Sequence, residues 1–311
     1  MCLSFKLFSV FLEPEWAQMR NNELYYLHRL IKWKLGDKSP IIAAIKITQQ
    51  CNLRCTHCPW RNFEKNELSA ARWKEVINNI WDRGCTAIVF EGGEPTLRSD
   101  LQELIEYASN LGFKTIVITN GTGDIRNISP DRIWVSIEGY EETHDLIRGK
   151  GTFDKAFETI RKNQDKRIDT LTTLSRTNSH DIERTCEALS EYVQGFLFNF
   201  LYPYKETKDE ALSPVERMEV ARRLLKLKKK YHVLNSDSYL KAVGTRWKCT
   251  PWALLSVTAD GKFSNHCMID HLEPLNCEEC DLGCYGELSI AIGLKGDSLK
   301  FLRETTGALQ G

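Results

Sequence analysis

Apolar and polar positions alternate between two spacings along most of the chain. Short, nearly continuous apolar runs recur at residues 41–48, 87–90, 115–119, 133–137, 169–174 and 196–201. Runs of this length read as strands buried on both faces. Between them, segments at 69–83, 100–111, 153–162 and 181–192 place apolar residues every three or four positions, the period of an amphipathic helix. Ser69 and Asp181 stand where N-caps are expected, and Gly84 and Gly112 where helices stop. Strands alternating with helices give a parallel sheet, an α/β fold. Late in the chain, residues 254–263 alternate around Asp260-Gly261, a hairpin signal.

Two further helices stand outside this alternation. One, at 14–35, carries Leu24, Leu27, Leu30 and Ile31 along one side, with Tyr25, Tyr26 and Trp33 nearby and His28, Arg29, Lys32 and Lys34 interleaved. It suits packing on the sheet domain, and it also suits peripheral contact with a membrane. The other, at 214–231, holds Arg222, Arg223, Lys226, Lys228, Lys229 and Lys230. Net formal charge over the 311 residues is zero and no stacking aromatics interleave these cations. They read as a solvated face, and no nucleic-acid partner is expected. The length suits a large domain plus a small one. No apolar run is long enough to span a bilayer. The apolar start, broken by Lys6, lacks a basic opening and a small-residue cleavage site.

Cysteine changes the picture. Of eleven, eight fall in two tight groups, a distribution that suggests metal ligation in a reducing compartment and a cytoplasmic protein. Cys2, Cys85 and Cys186 lie outside the groups and are expected to be inert. The first group, Cys51, Cys55 and Cys58, has C-x3-C-x2-C spacing directly after the first apolar run. Three thiolates on one loop suit three irons of a cubane cluster and leave the fourth iron open. Structural zinc, completed by His57 or a distant cysteine, is the other reading. One helix and one strand later the chain turns through Gly92-Gly93-Glu94-Pro95. Two glycines allow close backbone approach, and Glu94 is suited to accept from an ammonium group.

With these two motifs in this order, the chain resembles the radical S-adenosylmethionine (SAM) superfamily. The resemblance implies a 4Fe–4S cluster on Cys51, Cys55 and Cys58, with the SAM amine and carboxylate on its open iron. It places the Gly92–Pro95 loop at the methionyl amine and the backbone of His57 at adenine. Asn120 in Thr119-Asn120-Gly121, then Ser136, Glu138 and Arg148, fall at ribose-side positions. Thr152 and Asn178 read equally as ligands or as turn residues. The fold implied is a partial (β/α)6 barrel of the TIM type over residues 39–235, after a helical preamble at 1–38. Motifs that follow strands then gather at the carboxyl ends.

The second group, Cys249, Cys267, Cys277, Cys280 and Cys284, brackets the hairpin. It resembles SPASM and twitch modules, which implies an auxiliary 4Fe–4S cluster in a cysteine-rich hairpin and helix extension over 236–311. The Gly261-to-Cys267 gap is one residue longer than the usual pattern, and one of the five cysteines is a spare. A zinc ribbon is the competing reading, and His266 is a further candidate ligand or a surface residue. The function implied is reductive cleavage of SAM to a 5′-deoxyadenosyl radical that takes hydrogen from a peptide, cofactor precursor or lipid. The auxiliary cluster would relay an electron, and a low-potential donor such as a ferredoxin or flavodoxin would supply one. The 40 residues before the first strand leave no room for a cobalamin domain, so cobalamin-dependent methyl transfer is not expected. Tyr202, Tyr204 and Glu206 follow the last strand and are placed to face substrate. The alternative, needing only the cysteines, is a non-catalytic iron–sulfur electron carrier or scaffold.

Overall fold

The computed structural model describes residues 23–60, 67–245, 247–264, 266–293 and 296–306. Its frame is one sheet in the order β6-β5-β4-β3-β2-β1-β7-β8. The strands are β1 (Ile42–Thr48), β2 (Ala87–Gly92), β3 (Lys114–Thr119), β4 (Arg132–Ser136), β5 (Ile168–Leu174), β6 (Phe196–Phe200), β7 (Leu254–Val257) and β8 (Phe263–Ser264). All neighbours pair in parallel except β7 with β8. The six expected strands and their helices form the expected partial barrel, and its sheet is not closed.

Helices α2 (Ala70–Asp82), α3 (Leu101–Leu111), α4 (Glu142–Arg148), α5 (Thr152–Lys162), α6 (Ile182–Leu189) and α7 (Pro214–Leu227) follow the strands. Ser69 caps α2 by accepting from the Arg72 N–H, and Gly112 ends α3 with φ +98°. Asp181 precedes α6 but does not cap it; its carboxylate accepts from the Tyr140 N–H at 2.7 Å. Alternate residues of each strand serve two cores. Ala43, Ile45 and Ile47 of β1 meet Trp73, Ile77 and Ile80 of α2, whereas Ile42 and Ala44 face the barrel interior. Coverage of both faces explains why β1 is buried along its whole length. Cys85 and Cys186 are fully buried in the outer core.

The chain from 236 onward is built into this frame. The expected hairpin forms, with Gly261 at φ +81°, and β7 also pairs with β1. After α8 (Asp237–Ala242), the helices α9 (Gly283–Ile292) and α10 (Gly296–Thr306) pack into the interior core through Leu288, Ala291, Phe301 and Leu302. Helix α9 touches both β6 and β7 and fills the gap the sheet leaves between them.

Helix α1 (Glu23–Lys34) packs against the amino ends of the strands. Among its described side chains, Tyr25, Arg29 and Trp33, one helical turn apart, are buried. The Tyr25 hydroxyl donates to the Gly84 carbonyl at 2.9 Å. Arg29 donates to the Ser39 and Pro40 carbonyls at 3.1 and 2.7 Å, and Trp33 Nε1 donates to Ser39 at 3.0 Å. The aliphatic stripe expected to pack is corrected at Ile31, which is 52% exposed. An arginine whose charge is taken up by carbonyls is the better buried residue here. Residues 14–22 of the expected helix lie outside the described residues. Among those described, no helix is long and apolar enough to cross a membrane. On α7, which ends at Leu227 and not at 231, Arg222 and Lys226 are exposed, as are Lys229 and Lys230 just beyond it, the expected solvated face.

Candidate active site

The cysteine loop leaves β1 at the carboxyl end of the sheet. Cys51 is exposed, Cys58 partly exposed and Cys55 buried. Burial pushes the Cys55 thiol up to about 11, against the opposing influence of Arg148. The loop and the Gly92–Pro95 turn are one unit. The Gly93 N–H donates to the Thr48 carbonyl and the Glu94 N–H to the Gln50 carbonyl, both at 2.8 Å. A Cβ on Gly92 would lie 2.2 Å from the Thr48 oxygen, and one on Gly93 2.1 Å from the Gln50 oxygen. Only glycine lets the two backbones touch immediately before Cys51.

Glu94 is fully buried. Its Oε1 accepts from the Thr96 N–H, the Thr96 hydroxyl and the Thr119 hydroxyl. Its Oε2 accepts from the Asn120 N–H at 2.7 Å and keeps capacity for one more donor. Pro95 stiffens the exit of the same turn. Asn120 donates to Asn52 Oδ1 at 2.8 Å and accepts from Thr122, tying the β3 end to the cysteine loop. Ser136 is buried at the end of β4.

Glu138 and Arg148 form a buried pair beneath the loop. Arg148 donates through its Nη2 and Nε to Glu138 Oε1 at 2.6 and 3.1 Å, and the Thr173 N–H donates to Oε2 at 2.8 Å. His57 Nε2 lies 3.7 Å from the same carboxylate. Burial opposes ionisation of Glu138, but Arg148 and then His57 outweigh it and hold the carboxyl below its ordinary value. His144 accepts from the Glu138 N–H at 3.2 Å, and burial pushes its imidazole down to about 4. Thr152 and Asn178 serve turns: the Thr152 hydroxyl donates to the Gly149 carbonyl, and Asn178 bridges Ser175 and Thr173.

Of the second cysteine group, Cys284 lines the barrel cavity that His57 also lines. Cys249 and Cys277 are exposed; Cys267, Cys280 and Cys284 are partly exposed. Burial, then Cys267 and Cys277, push Cys249 up to about 11. Burial also dominates at Cys280, pushed up to about 12 with Cys267 and Cys249 as neighbours. Cys284 is raised by burial, then by Cys267 and Glu91. Cys267 is thus near each of the others. His266 is exposed. Among the described residues, no three His, Cys, Asp or Glu side chains converge on one ion position. Each group offers soft thiols suited to iron or zinc, all on loops or short turns except Cys284 in α9, with a glycine cradle beside the first.

Three features were not anticipated from sequence. Lys46, alone among apolar neighbours in β1, pairs with Glu91 at 2.5 Å and lies 4.3 Å over the Trp60 ring. His144 backs Glu138. Glu287, alone in the apolar α9, is buried in the barrel wall. For Lys46 and Glu287 a single charged residue within an apolar element was the available signal; His144 sits in a polar helix and gave none. Tyr204 is raised by burial, then by Cys284, Cys267 and Cys58, so it stands between the two cysteine groups. It and Tyr202 line the barrel cavity, whereas Glu206 is exposed.

The profile of the Radical SAM superfamily matches residues 45–192. The chain is 34% identical over 168 residues to the Fe-coproporphyrin III synthase of Methanosarcina barkeri, an alignment covering 50% of this chain and 42% of that one. It is 29% identical over 172 residues to the sporulation killing factor maturation protein SkfB of Bacillus subtilis, covering 50% and 41%. The chain thus spans less than half the length of these curated relatives. Streptococcus suis SuiB bound to S-adenosylmethionine has the same fold, with TM-score 0.66 and 13% identity over 97% of this chain and 78% of that one.

Proposed function

Because the chain carries a radical SAM domain over residues 45–192, we propose that it is a radical SAM oxidoreductase or maturase. In this reading Cys51, Cys55 and Cys58 hold a 4Fe–4S cluster, and SAM lies against His57, Gly92, Gly93, Glu94, Pro95, Asn120, Ser136, Glu138 and Arg148. When bound, that cluster supplies the electron that cleaves SAM to a 5′-deoxyadenosyl radical, which takes hydrogen from the substrate. The observation that carries the reading is the direct backbone contact between Gly92-Gly93 and Thr48–Gln50. It fixes the glycine turn beside the thiols, so a ligand held by one meets the other.

The protein's own groups divide the work of positioning. Glu94 Oε2 has room for one ammonium hydrogen. Glu138 and Arg148 hold each other, and Arg148 adds positive charge near Cys55 and Cys58. Residues 236–311 form a SPASM/twitch-like region in which four of Cys249, Cys267, Cys277, Cys280 and Cys284 hold an auxiliary 4Fe–4S cluster that relays an electron. A ferredoxin or flavodoxin in a reducing cytoplasm supplies the first. A peptide side chain, in line with the precursor peptide SuiA bound to SuiB, or a cofactor precursor, in line with the name of the coproporphyrin enzyme, is the substrate class; a lipid is the third option.

The test is anaerobic reconstitution with iron and sulfide, then dithionite and SAM, with 5′-deoxyadenosine quantified against Cys58→Ala. Cysteine-dependent formation is expected. Its absence in protein with a verified reduced cluster would move the chain to the electron-carrier reading.

A further inference from the structure

A cavity of about 250 Å³ lies inside the barrel, lined by residues from each of strands β1 to β6. Its wall is mostly aliphatic and aromatic, with Ala44, Val89, Ile116, Ile118, Leu171 and Leu197 on the strands. An apolar cavity of about 150 Å³ already holds benzene, so this one has room for a larger apolar body.

Two acidic residues stand among the lining, and they differ. Glu287 is 1% exposed, so its carboxyl is closed off. Glu91 keeps 19% of its side-chain surface. Strand geometry fixes where that surface points. Ala87 and Val89 of β2 belong to the interior core, and Glu91, two residues beyond Val89, shares their face. Its register partner on β1 is Lys46, two residues beyond Ala44 on that strand's inner face. The pair forms one polar layer at the carboxyl ends of β1 and β2, roughly 7 Å above the layer of Ala44 and Val89.

This layer is half satisfied. Lys46 Nζ donates to Glu91 Oε1 at 2.5 Å and lies 4.3 Å over the Trp60 ring. Lys46 is buried, and its charge is taken up between the carboxylate and the ring face. Among the described residues, no second donor reaches the Glu91 carboxylate, which leaves Oε2 with room for one. A ligand resting on the apolar layers below would present a donor to it. The charge state of the layer decides which kind. Lys46 already neutralises the carboxylate, so a second cation would give up its hydration with no unmatched charge to receive it. A neutral N–H or O–H meets no such cost.

We propose that the Lys46–Glu91 pair sets the specificity of this cavity. It admits an apolar substrate, or the apolar part of one, whose neutral N–H or O–H donates to Glu91 Oε2, and Lys46 disfavours cationic donors. What happens to that ligand rests on the radical SAM reading; the binding stands apart from it.

The test uses reconstituted protein with SAM and no reductant. Equilibrium dialysis compares 2-methylnaphthalene, 2-naphthylmethanol and 2-naphthylmethylamine, one apolar body carrying no donor, a neutral donor or an ammonium. The wild type should bind the alcohol more tightly than the amine. Lys46→Met leaves Glu91 unmatched and should raise the amine-over-alcohol affinity ratio by about tenfold. Lys46→Met combined with Glu91→Leu removes the acceptor and leaves no charge behind. It should lower the alcohol-over-hydrocarbon ratio by about tenfold, with the hydrocarbon still bound. Lys46→Met combined with Glu91→Gln keeps an acceptor oxygen and should keep most of that ratio. Both double variants are neutral in this layer, so they test the acceptor even if Lys46→Met alone does not fold; thermal melting reports which variants are folded. An amine preferred by the wild type, an amine-over-alcohol ratio unmoved in folded Lys46→Met, an alcohol-over-hydrocarbon ratio unchanged in the Glu91→Leu double variant, or no binding of any probe to the folded wild type overturns the proposal. Substrate-free 5′-deoxyadenosine formation by the wild type is read separately. Its presence without probe binding sinks only the cavity assignment; probe binding without it sinks only the radical SAM reading.

Discussion

Replacing Arg148 by Met tests the electrostatics under the cysteine loop. The change keeps an apolar stem of similar length and removes both donors to Glu138 Oε1. Glu138 then retains only the Thr173 N–H on Oε2 and His57 at 3.7 Å. With the guanidinium gone, burial is the largest remaining influence, and it favours the neutral carboxyl. The side chain escapes an unpaired buried charge by taking up a proton. At pH 7, for a carboxyl whose ordinary value is 4.5, that uptake costs about 1.4 kcal/mol for each of roughly 2.5 pH units, about 3.5 kcal/mol in all. Breaking a buried pair by removing one partner costs about 3–5 kcal/mol, so the two routes to the magnitude agree at the low end. The sign with pH is fixed. A carboxyl held below its ordinary value stabilises the fold above that value, and the stabilisation fades as pH falls. The Arg148→Met penalty should therefore shrink to about 1 kcal/mol at pH 5. Thermal melting of metal-free protein under chelator measures it without interference from iron loss; roughly 6 °C is expected at pH 7. Glu138→Gln combined with Arg148→Met should recover most of the loss. A penalty equal at both pH values and untouched by Glu138→Gln would refute the argument.

Gly93→Ala places a Cβ 2.1 Å from the Gln50 oxygen and 2.6 Å from its carbonyl carbon. The backbone must move, at about 1–3 kcal/mol, and iron bound per reconstituted chain should fall as far as it does in Cys58→Ala; full loading would show that the turn and the cysteine loop are independent. His144 is buried neutral, pushed down to about 4 from 6.5. The unfolded chain therefore binds the extra proton first, and as pH falls from 6.5 to 4 about 3 kcal/mol of stability is lost through this group. His144→Gln should flatten that limb of the stability profile, and an acid limb of unchanged slope would assign it to other groups.

What the sequence makes legible here is local. Cys51, Cys55 and Cys58 share one loop, and Gly92 and Gly93 share one turn, so spacing alone places them together. The Asp260-Gly261 turn is equally plain, because a two-residue feature decides it. The pairing of β7 with β1 joins segments about 200 residues apart, and nothing in either strand marks the other. For the same reason the late helices read as part of a separate extension, although α9 fills the barrel wall. Periodicity also misleads where a polar group is buried with its partners. In α1, Ile31 of the expected apolar stripe is exposed, yet Arg29 is buried with its Nη2 donating to the Ser39 and Pro40 carbonyls. Those carbonyls belong to a turn that no pattern within the helix encodes. The converse signal was available and informative. Lys46 in β1 and Glu287 in α9 are lone charges in apolar elements, and a lone charge survives burial only with a partner, a proton or a ligand. Lys46 has Glu91 as its partner. Glu287 satisfies one oxygen within the protein, and burial pushes its carboxyl up to about 8, towards the neutral form. Burial in this fold is therefore read most easily where a residue breaks the pattern, and the loops where motifs keep their spacing.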